Sequence, residues 1–312
     1  MQEQQYEQYV FGPVPSRRLG RSLGVDLIPP KTCSFDCIYC QIGRTTNKTI
    51  ERKEYVPFDV VIEQIRRALA GAIKPDYITL AGSGEPTLYS RIGELIDAVH
   101  EFTNVPVDIL TNGSLFWDER ILSEAAKADL IIPSLDAGDE HMLKRINRPV
   151  EGLDFSKIVC GLERLCELCR DKVWLEVFVV KGINDELESV RKIAGIANKL
   201  RPAKIQLNTA VRPTAESYAV ALQKEQLSRL AELFVPKAEI IADFPEAEFT
   251  SKTSAHAEEI IEMLKRRPCT LDDISAGLGV VRNEIIKLLE VLTREGKIQT
   301  EYKNEKLYYV IK

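Results

Sequence analysis

Three of the chain's seven cysteines lie within eight residues of one another. Cys33, Cys37 and Cys40 stand in the stretch CSFDCIYC. Three thiolates can hold three irons of a cubane [4Fe-4S] cluster, whereas full ligation by the protein would take four. The fourth iron would then be open to another ligand. The spacing therefore predicts an iron–sulfur centre with one open coordination position.

Two other metal arrangements remain open on the residues alone. A zinc site commonly takes four Cys or His ligands, and the nearest histidine in the sequence is His100. A second cluster could use Cys160, Cys166 and Cys169, but they fall in a helical pattern, where a free cysteine is usually a small apolar residue. Cys269 follows Pro268 and is expected to be structural.

The elements that must position these thiols alternate between short β-branched runs and amphipathic helical stretches. This order is typical of parallel strands joined by crossover helices, and six such units favour an α/β fold with a partial (β/α)6 TIM-type barrel. The cysteine loop follows the first strand, at the edge of the sheet where barrel active sites form. The predicted strands span residues 23–28, 76–81, 107–111, 129–135, 173–180 and 204–208.

The last part of the chain has a different organisation. Residues 1–242 form the predicted barrel, and the polar stretch at 243–256 is predicted to be a linker. Residues 257–312 give three helical patterns and a terminal hairpin with a turn at Lys303 and Asn304, which is the order of a winged-helix domain. From Glu258 to Lys312 there are ten basic and ten acidic residues, so a sequence-specific DNA reader is disfavoured.

The cysteine motif also resembles the motif of a known family. C-x3-C-x2-C with an aromatic residue before the last cysteine, here Tyr39, resembles the signature of radical S-adenosylmethionine (SAM) enzymes. The resemblance implies a [4Fe-4S] cluster held by Cys33, Cys37 and Cys40. It also implies that the amine and carboxylate of SAM chelate the open iron, and that Tyr39 lies near the adenine.

Residues at the ends of later strands extend the resemblance. The segment LAGSGEPTL resembles the glycine-rich motif that approaches the SAM amine, although an ordinary turn also favours Gly and Pro. TNGS and SLDA place polar side chains at the ends of two further strands, and the segment GIN after the fifth strand resembles the border of the adenine site. The implied cofactor contacts are Tyr39, Gly82, Ser83, Gly84, Glu85, Pro86, Asn112, Ser134, Asp136, Gly182 and Ile183.

The implied enzyme cleaves SAM reductively and makes a 5'-deoxyadenosyl radical, with electrons from an external ferredoxin or flavodoxin type donor. The segments PSRRLG and KRINRP look similar to the wyosine-forming tRNA enzymes. The substrate stays open between an RNA base and a peptide or protein, and no residue is predicted to be catalytic. The alternative is an iron–sulfur sensor that binds DNA through the winged helix.

The composition of the chain limits the classes of protein to which it can belong. The chain has 312 residues, 45% of them hydrophobic and 29% charged, with a net charge of -5, which is typical of a globular protein. Its first residues do not resemble a targeting signal, and no segment is apolar enough to span a membrane, so a cytoplasmic protein is expected.

Glu176 interrupts an apolar strand and is expected to face the barrel lumen, although the solvent-facing side of the strand stays open. Arginines that could bind phosphate or carboxylate, or form surface ion pairs, are Arg17, Arg18, Arg21, Arg148 and Arg212.

Overall fold

The computed structural model describes residues 8–71, 73–242, 257–280, 282–304 and 306–312. The linker predicted at 243–256 lies outside the described residues. The strands are β1 (Val10–Ser16), β2 (Gly20–Val25), β3 (Thr32–Cys33), β4 (Asn47–Lys48), β5 (Tyr77–Leu80), β6 (Val107–Thr111), β7 (Leu130–Pro133), β8 (Trp174–Val179), β9 (Lys204–Thr209), β10 (Glu239–Ile240), β11 (Ile298–Lys303) and β12 (Lys306–Ile311).

Helices connect most of the parallel strands. Two short 3-10 helices span Pro86–Leu88 and Arg170–Lys172. None of the helices within the described residues is long and apolar enough to cross a membrane. The α-helices are α1 (Phe58–Leu69), α2 (Ile92–His100), α3 (Glu119–Ala125), α4 (Glu140–Ile146), α5 (Phe155–Cys169), α6 (Leu187–Leu200), α7 (Lys224–Ala231), α8 (Ala257–Arg266), α9 (Leu271–Leu278) and α10 (Arg282–Arg294).

The fold is α/β, and its main sheet is almost entirely parallel. One sheet has the strand order β1-β2-β5-β6-β7, and a second has the order β10-β9-β8. Apart from the antiparallel β1–β2 pair, all pairs in these two sheets are parallel. Parallel bridges from Ile131 to Val173 and from Ser134 to Glu176 join β7 to β8, so the two sheets continue into one another.

Contacts across the ends of this combined sheet show that it curls towards itself. Arg17, in the turn between β1 and β2, donates to Asn208 Oδ1 of β9 at 2.9 Å. Arg18 donates to Gln206 Oε1 of the same strand at 3.3 Å. Strands near opposite ends of the order are thereby brought together around an interior space. The carboxyl ends of the parallel strands meet at one rim of that space.

The six predicted parallel strands are confirmed as β2 and β5 to β9. The first begins three residues earlier than predicted and ends at Val25. The next residue, Asp26, accepts from the backbone N–H of Ser83 at 2.9 Å. Strand β1 was not predicted. It contains Gly12, Pro13 and Pro15, residues that are depleted in strands and tolerated at a sheet edge, which is where β1 lies.

The C-terminal residues form three helices followed by the antiparallel pair β11–β12, in the predicted order. They have their own buried cluster, which includes Ile260, Ile274 and Leu289, separate from the cluster beneath the main sheet. The contacts of the unit with the rest of the chain include a buried ion pair, in which Arg266 Nε lies 2.8 Å from Asp26 Oδ2.

Candidate active site

The cysteine loop is attached to the turn after β5 by backbone hydrogen bonds. Lys31 N–H donates to the carbonyl of Ser83 at 2.7 Å, and Glu85 N–H donates to the carbonyl of Thr32 at 3.2 Å. Thr32 and Gly84 also form a parallel bridge. Because Cys33 follows Thr32 directly, the position of the first thiol depends on this turn.

The glycines of this turn are required by the close approach of other chain segments. A Cβ atom on Gly84 would lie 2.0 Å from the carbonyl oxygen of Thr32, and one on Gly82 would lie 1.6 Å from Asp26 Oδ1. Gly82 also has φ of +118°, a conformation that favours glycine. The absence of side chains at both positions therefore serves the packing of the cysteine loop and of Asp26.

All three thiols of the motif are free and partly buried. Burial is the main reason why the pKa of Cys33 is raised to about 12 and why the pKa values of Cys37 and Cys40 are raised. A buried thiol resists ionisation unless a positive partner compensates the charge. Ferric and ferrous iron are partners of this kind, since metal ligation deprotonates a thiol.

Two asparagine amides reach the sulfur atoms of the loop. Asn112 Nδ2 lies 3.5 Å from Cys33 Sγ, and Asn147 Nδ2 lies 3.4 Å from Cys37 Sγ. Backbone N–H groups after Cys40 approach its sulfur and oppose the effect of burial on its pKa. Each thiol thus has an N–H donor that favours its anionic form.

Asn112 is held in place by Glu85, which is 2% exposed. Glu85 Oε2 accepts from the Asn112 backbone N–H at 2.7 Å, and Oε1 accepts from Thr111 Oγ1 at 2.7 Å. Burial raises the pKa of Glu85, and the hydrogen bonds from Thr87, Asn112 and Thr111 act against that rise. The carboxylate joins the end of β5 to the end of β6 instead of facing an open space.

Asp136, just after β7, connects the cysteine loop to β8. Its Oδ2 accepts from the Tyr39 hydroxyl and from Asn147 Nδ2, the latter at 2.8 Å. Its Oδ1 accepts from the Phe178 backbone N–H at 2.8 Å. Burial raises the pKa of Asp136 to about 6, against the opposing effect of these hydrogen bonds.

The ring of Tyr39 stacks on Phe178, with ring centroids 3.9 Å apart and an interplanar angle of 9°. One face of the predicted adenine neighbour is therefore covered by a protein aromatic. Asn184 reinforces the same corner by donating to the carbonyls of Asp136 and Phe178, each at 2.9 Å. The side chains of Tyr39, Asp136 and Asn184 therefore each have a protein hydrogen-bond partner.

The remaining predicted cofactor contacts lie on the same rim. Gly182 and Ile183 follow β8, and their carbonyls accept from Arg145 at 3.2 and 3.4 Å. Ser134 lies at the end of β7, where its backbone N–H donates to the Thr111 carbonyl at 3.1 Å. Pro86 begins the 3-10 helix after β5. The structure thus brings the predicted residues to one rim of the sheet and leaves their contacts with a cofactor as a proposal.

The other cysteines are dispersed along α5 and the C-terminal unit. Cys160 is exposed on α5, whereas Cys166 is buried against the core and Cys269 is buried within the C-terminal cluster. Among the residues with described positions, no three His, Cys, Asp or Glu side chains are placed to hold a single metal ion. A zinc site needs ligands that converge on one point, while each thiolate of a cubane binds a different iron.

A cavity of about 370 Å³ lies inside the curled sheet, beside the cysteine loop. Tyr39, Cys40, Gly82 and Phe178 line it on the loop side. We call it the arginine-lined cavity, because its other lining residues include Arg17, Arg18, Arg212, Arg266 and Arg267, together with Glu176.

Glu176 faces this interior, as the sequence predicted. It forms an ion pair with Arg18 and accepts from Asn208 Nδ2 at 3.0 Å. Although burial raises its pKa, the charges of Arg18 and Arg17 and the hydrogen bond from Asn208 outweigh that effect and lower the pKa overall. Two of the other predicted arginines form ion pairs outside the cavity, Arg21 with Asp76 and Arg148 with Glu216.

Comparison with protein-family models identifies the family of this chain. A model described as the radical SAM superfamily matches residues 27–194, which is more than half of the chain. The chain belongs to the radical SAM superfamily. Members of this superfamily are enzymes that use an iron–sulfur cluster and SAM, and the matched region contains the cysteine motif and the strand ends described above.

Three relatives illustrate the range of similarity. A UPF0026 protein of Methanocaldococcus jannaschii is 32% identical over 306 residues, covering 96% of this chain and 94% of that protein. A protein of Brachyspira hyodysenteriae named GTPase Obg is 40% identical over 305 residues, covering 97% of this chain but only 45% of its own length. The tRNA 4-demethylwyosine synthase of Pyrococcus abyssi, described as SAM-dependent, is 25% identical over 276 residues, covering 80% and 75%.

Among solved structures, a radical SAM methyltransferase from Sphaerobacter thermophilus has a TM-score of 0.56 at 15% identity. The match covers 72% of this chain and 67% of that one. At this identity the similarity concerns the fold alone. It confirms the α/β fold that the sequence predicted.

Sequence reasoning missed two residues of the rim. Asn147 stands inside the segment KRINRP, whose similarity to the wyosine-forming enzymes concerned the segment as a whole, and Phe178 stands in an apolar strand without any distinguishing signal. Asn184 is the last residue of the segment GIN, which resembles the border of the adenine site, and its buried amide donates to the carbonyl of Asp136.

Proposed function

We propose that this protein is a radical SAM enzyme that holds one [4Fe-4S] cluster with Cys33, Cys37 and Cys40. When bound, the reduced cluster would supply an electron that cleaves SAM to methionine and a 5'-deoxyadenosyl radical, which then removes a hydrogen atom from the substrate. The observation that carries the proposal is the set of three free, partly buried thiols, each with an N–H donor, at the rim of the sheet.

The donor set fits a cluster with one open iron. Three thiolates leave the fourth iron without a protein ligand, and the N–H groups at the sulfurs favour the extra negative charge of a reduced cluster. Asn112 and Asn147 are themselves fixed, the first by Glu85 and the second by Asp136. These asparagines would therefore tune the cluster without moving.

The chain's own residues would orient SAM beside the open iron. Gly82 and Tyr39 line the cavity next to Cys40, so backbone and aromatic surfaces are available there. Asp136 holds the hydroxyl of Tyr39, and Phe178 fixes the ring plane. We propose that the remaining predicted contacts, from Ser83 to Pro86, Asn112, Ser134, Gly182 and Ile183, complete or support this site.

The domain assignment is part of the proposal. Residues 1–242 would form a partial (β/α)6 barrel, residues 243–256 a linker, and residues 257–312 a winged-helix domain. The curled parallel sheet and the separate buried cluster of the C-terminal unit support this division.

The partners are proposed by class. An external ferredoxin or flavodoxin type protein would supply electrons in the cytoplasm. The similarity to tRNA 4-demethylwyosine synthases supports RNA as one substrate class, and a peptide or protein remains the other.

The test is the formation of 5'-deoxyadenosine. The purified full chain is reconstituted with iron and sulfide without oxygen and is then mixed with SAM and dithionite. We expect product from the wild type and from Cys160→Ala, a control that removes an exposed thiol on α5, but not from Cys33→Ala. Equal product from wild type and Cys33→Ala would refute the proposal.

The alternative, an iron–sulfur sensor that binds DNA through the C-terminal unit, predicts specific DNA binding without SAM turnover. The exposed side chains of α10 include Arg282, Lys287 and Arg294 together with Glu290 and Val291. The ten basic and ten acidic residues from Glu258 to Lys312 leave the C-terminal unit without the net positive charge that is typical of a DNA reader. The same assay separates the two hypotheses, because a sensor would make no 5'-deoxyadenosine.

A further inference from the structure

The arginine-lined cavity has more positive charge than the proposed radical chemistry requires. Five arginines line it, and Glu176 is the one carboxylate among its described lining residues. Arginine binds phosphate and carboxylate oxygens bidentately, so several guanidinium groups around one cavity favour an anionic ligand.

Most of these arginines have a carboxylate nearby. Arg18 pairs with Glu176, and Arg266 pairs with Asp26 at 2.8 Å. Arg212 Nη2 lies 3.6 Å from Asp273 Oδ1. Three carboxylates therefore face three of the five guanidinium groups.

Arg17 differs from these three. Its Nη1 donates to neutral oxygens, Asn208 Oδ1 at 2.9 Å and the carbonyl of Ala242 at 3.5 Å. Within the part of the chain that is described, its guanidinium forms no ion pair with a carboxylate. A partly buried cation that bonds only to neutral groups is a place where an anion would gain most.

The electrostatics of the cavity agree with the geometry. The pKa of Arg17 is lowered to about 9, first by burial and then by the charges of Arg212, Arg18 and Arg267, against the opposing effect of Glu176. The arginines therefore repel one another across the cavity. An anion placed among them would relieve that repulsion.

Arg17, Arg18 and Glu176 lie deeper than the proposed SAM site, whereas Arg212 follows β9 and Arg266 pairs with Asp26 at the rim. Glu176 and Phe178 are two residues apart on β8 and both line the cavity, so Glu176 lies about 7 Å farther from the rim. Arg17 and Arg18 precede β2, at the end of the strand away from the cysteine loop. An anion bound there would lie below the Tyr39–Phe178 pair, not beside the cysteines.

We propose that the arginine-lined cavity binds an anionic oxygen group of the substrate, a phosphate or a carboxylate, with Arg17 as its principal ligand. The inference rests on the proposed function, since it names the substrate class of the same site. A volume of about 370 Å³ is in the range of small-molecule pockets. Met263 and Arg266 of α8 line one side of the cavity.

The experiment measures anion binding by the full chain without radical turnover. Unfolding temperature is followed as chloride is replaced by inorganic phosphate, or by succinate, at constant ionic strength. We expect a saturable rise with at least one of the two anions, and the anion with the larger effect identifies the group. If neither phosphate nor succinate raises the unfolding temperature above its value in chloride, the proposal is overturned.

Variants assign the effect to the cavity. Arg17→Gln should weaken the binding of the effective anion by about ten- to a hundredfold, the loss expected for one charged hydrogen-bonding partner. Arg17→Lys should lose less affinity than Arg17→Gln, because it keeps the charge but not the bidentate geometry. The matched control is Arg21→Gln, which removes an exposed arginine of β2 paired with Asp76. Equal binding by wild type and Arg17→Gln, or equal losses in Arg17→Gln and Arg21→Gln, would refute the assignment.

Competition separates a substrate anion from the carboxylate of SAM. If the cavity receives the substrate, the reconstituted protein saturated with SAM still binds the effective anion. Mutual exclusion of the anion and SAM would overturn the proposal, because the arginines would then serve the cofactor. Anion binding is measured independently of 5'-deoxyadenosine, so a failure of the radical chemistry and a failure of this inference give different results.

Discussion

Replacing Gly84 by alanine should displace the start of the cysteine loop. The added Cβ would lie 2.0 Å from the carbonyl oxygen of Thr32 and 2.8 Å from Ile28 Cγ2. Normal contact requires more than 3 Å, so the two backbone segments must separate by about 1 Å. Thr32 immediately precedes Cys33, and the displacement therefore reaches the first thiol.

The expected cost combines steric strain with a lost hydrogen bond. Overpacking at a well-packed position costs about 1–3 kcal/mol. The bond from Glu85 N–H to the Thr32 carbonyl, now 3.2 Å long, would be lost at a cost of about 1 kcal/mol. We expect the free energy of unfolding of Gly84→Ala to fall by about 2–4 kcal/mol.

Two measurements check this expectation. Urea unfolding of the cluster-free chain, followed by circular dichroism, gives the stability, and iron content after anaerobic reconstitution gives the capacity for the cluster. The matched control is Gly195→Ala in the interior of α6, where an added Cβ meets no atom within 4 Å. That variant should gain about 0.5–1 kcal/mol, because alanine favours the helix, and should bind iron as the wild type does. A Gly84→Ala protein with wild-type stability and iron content would refute the role given to Gly84.

Two further changes test other parts of the site, and a third tests a buried carboxylate within β6. Cys37→Ala should lose most of the reconstituted iron while Cys160→Ala keeps it, and equal iron content in both would contradict the ligand assignment. Asn112→Ala should lower the reduction potential of the cluster by up to about 40 mV, since one N–H bond to sulfur is lost, and an unchanged potential in a spectroscopic titration would exclude that tuning. The pKa of the buried Asp108 is raised to about 7, chiefly by burial. The stability that the protonated Asp108 contributes below its pKa in the unfolded chain is therefore lost as the pH rises through 7. Asp108→Asn should therefore be more stable than the wild type by about 1–3 kcal/mol at pH 8 but not at pH 4, and urea midpoints that differ equally at both pH values would count against it.

The sequence predicted the parallel strands because each one is a β-branched apolar run bounded by turn residues. It also predicted the rim, since polar residues such as Asn112 and Asp136 follow those runs directly. A parallel sheet buried on both faces requires this pattern, so local sequence carries the information. The edge strand β1 escaped because its glycine and prolines argue against a strand unless its edge position is known.

Contacts between distant segments could not be predicted. Phe178 stacks on Tyr39, and Arg266 pairs with Asp26 across 240 positions of the sequence. Nothing near Phe178 or Arg266 in the chain marks these partners, because the contacts depend on how the sheet curls and on where the C-terminal unit attaches. The arginine-lined cavity is a product of the same two features.

The open coordination position of the cluster is the central claim, and electron paramagnetic resonance tests it most directly. The reconstituted full chain is reduced with dithionite, and its spectrum is recorded before and after SAM is added. We expect SAM to change the g values of the reduced cluster in the wild type, because SAM would bind the iron that Cys33, Cys37 and Cys40 leave open. A reduced cluster whose spectrum is unchanged by saturating SAM would contradict the account.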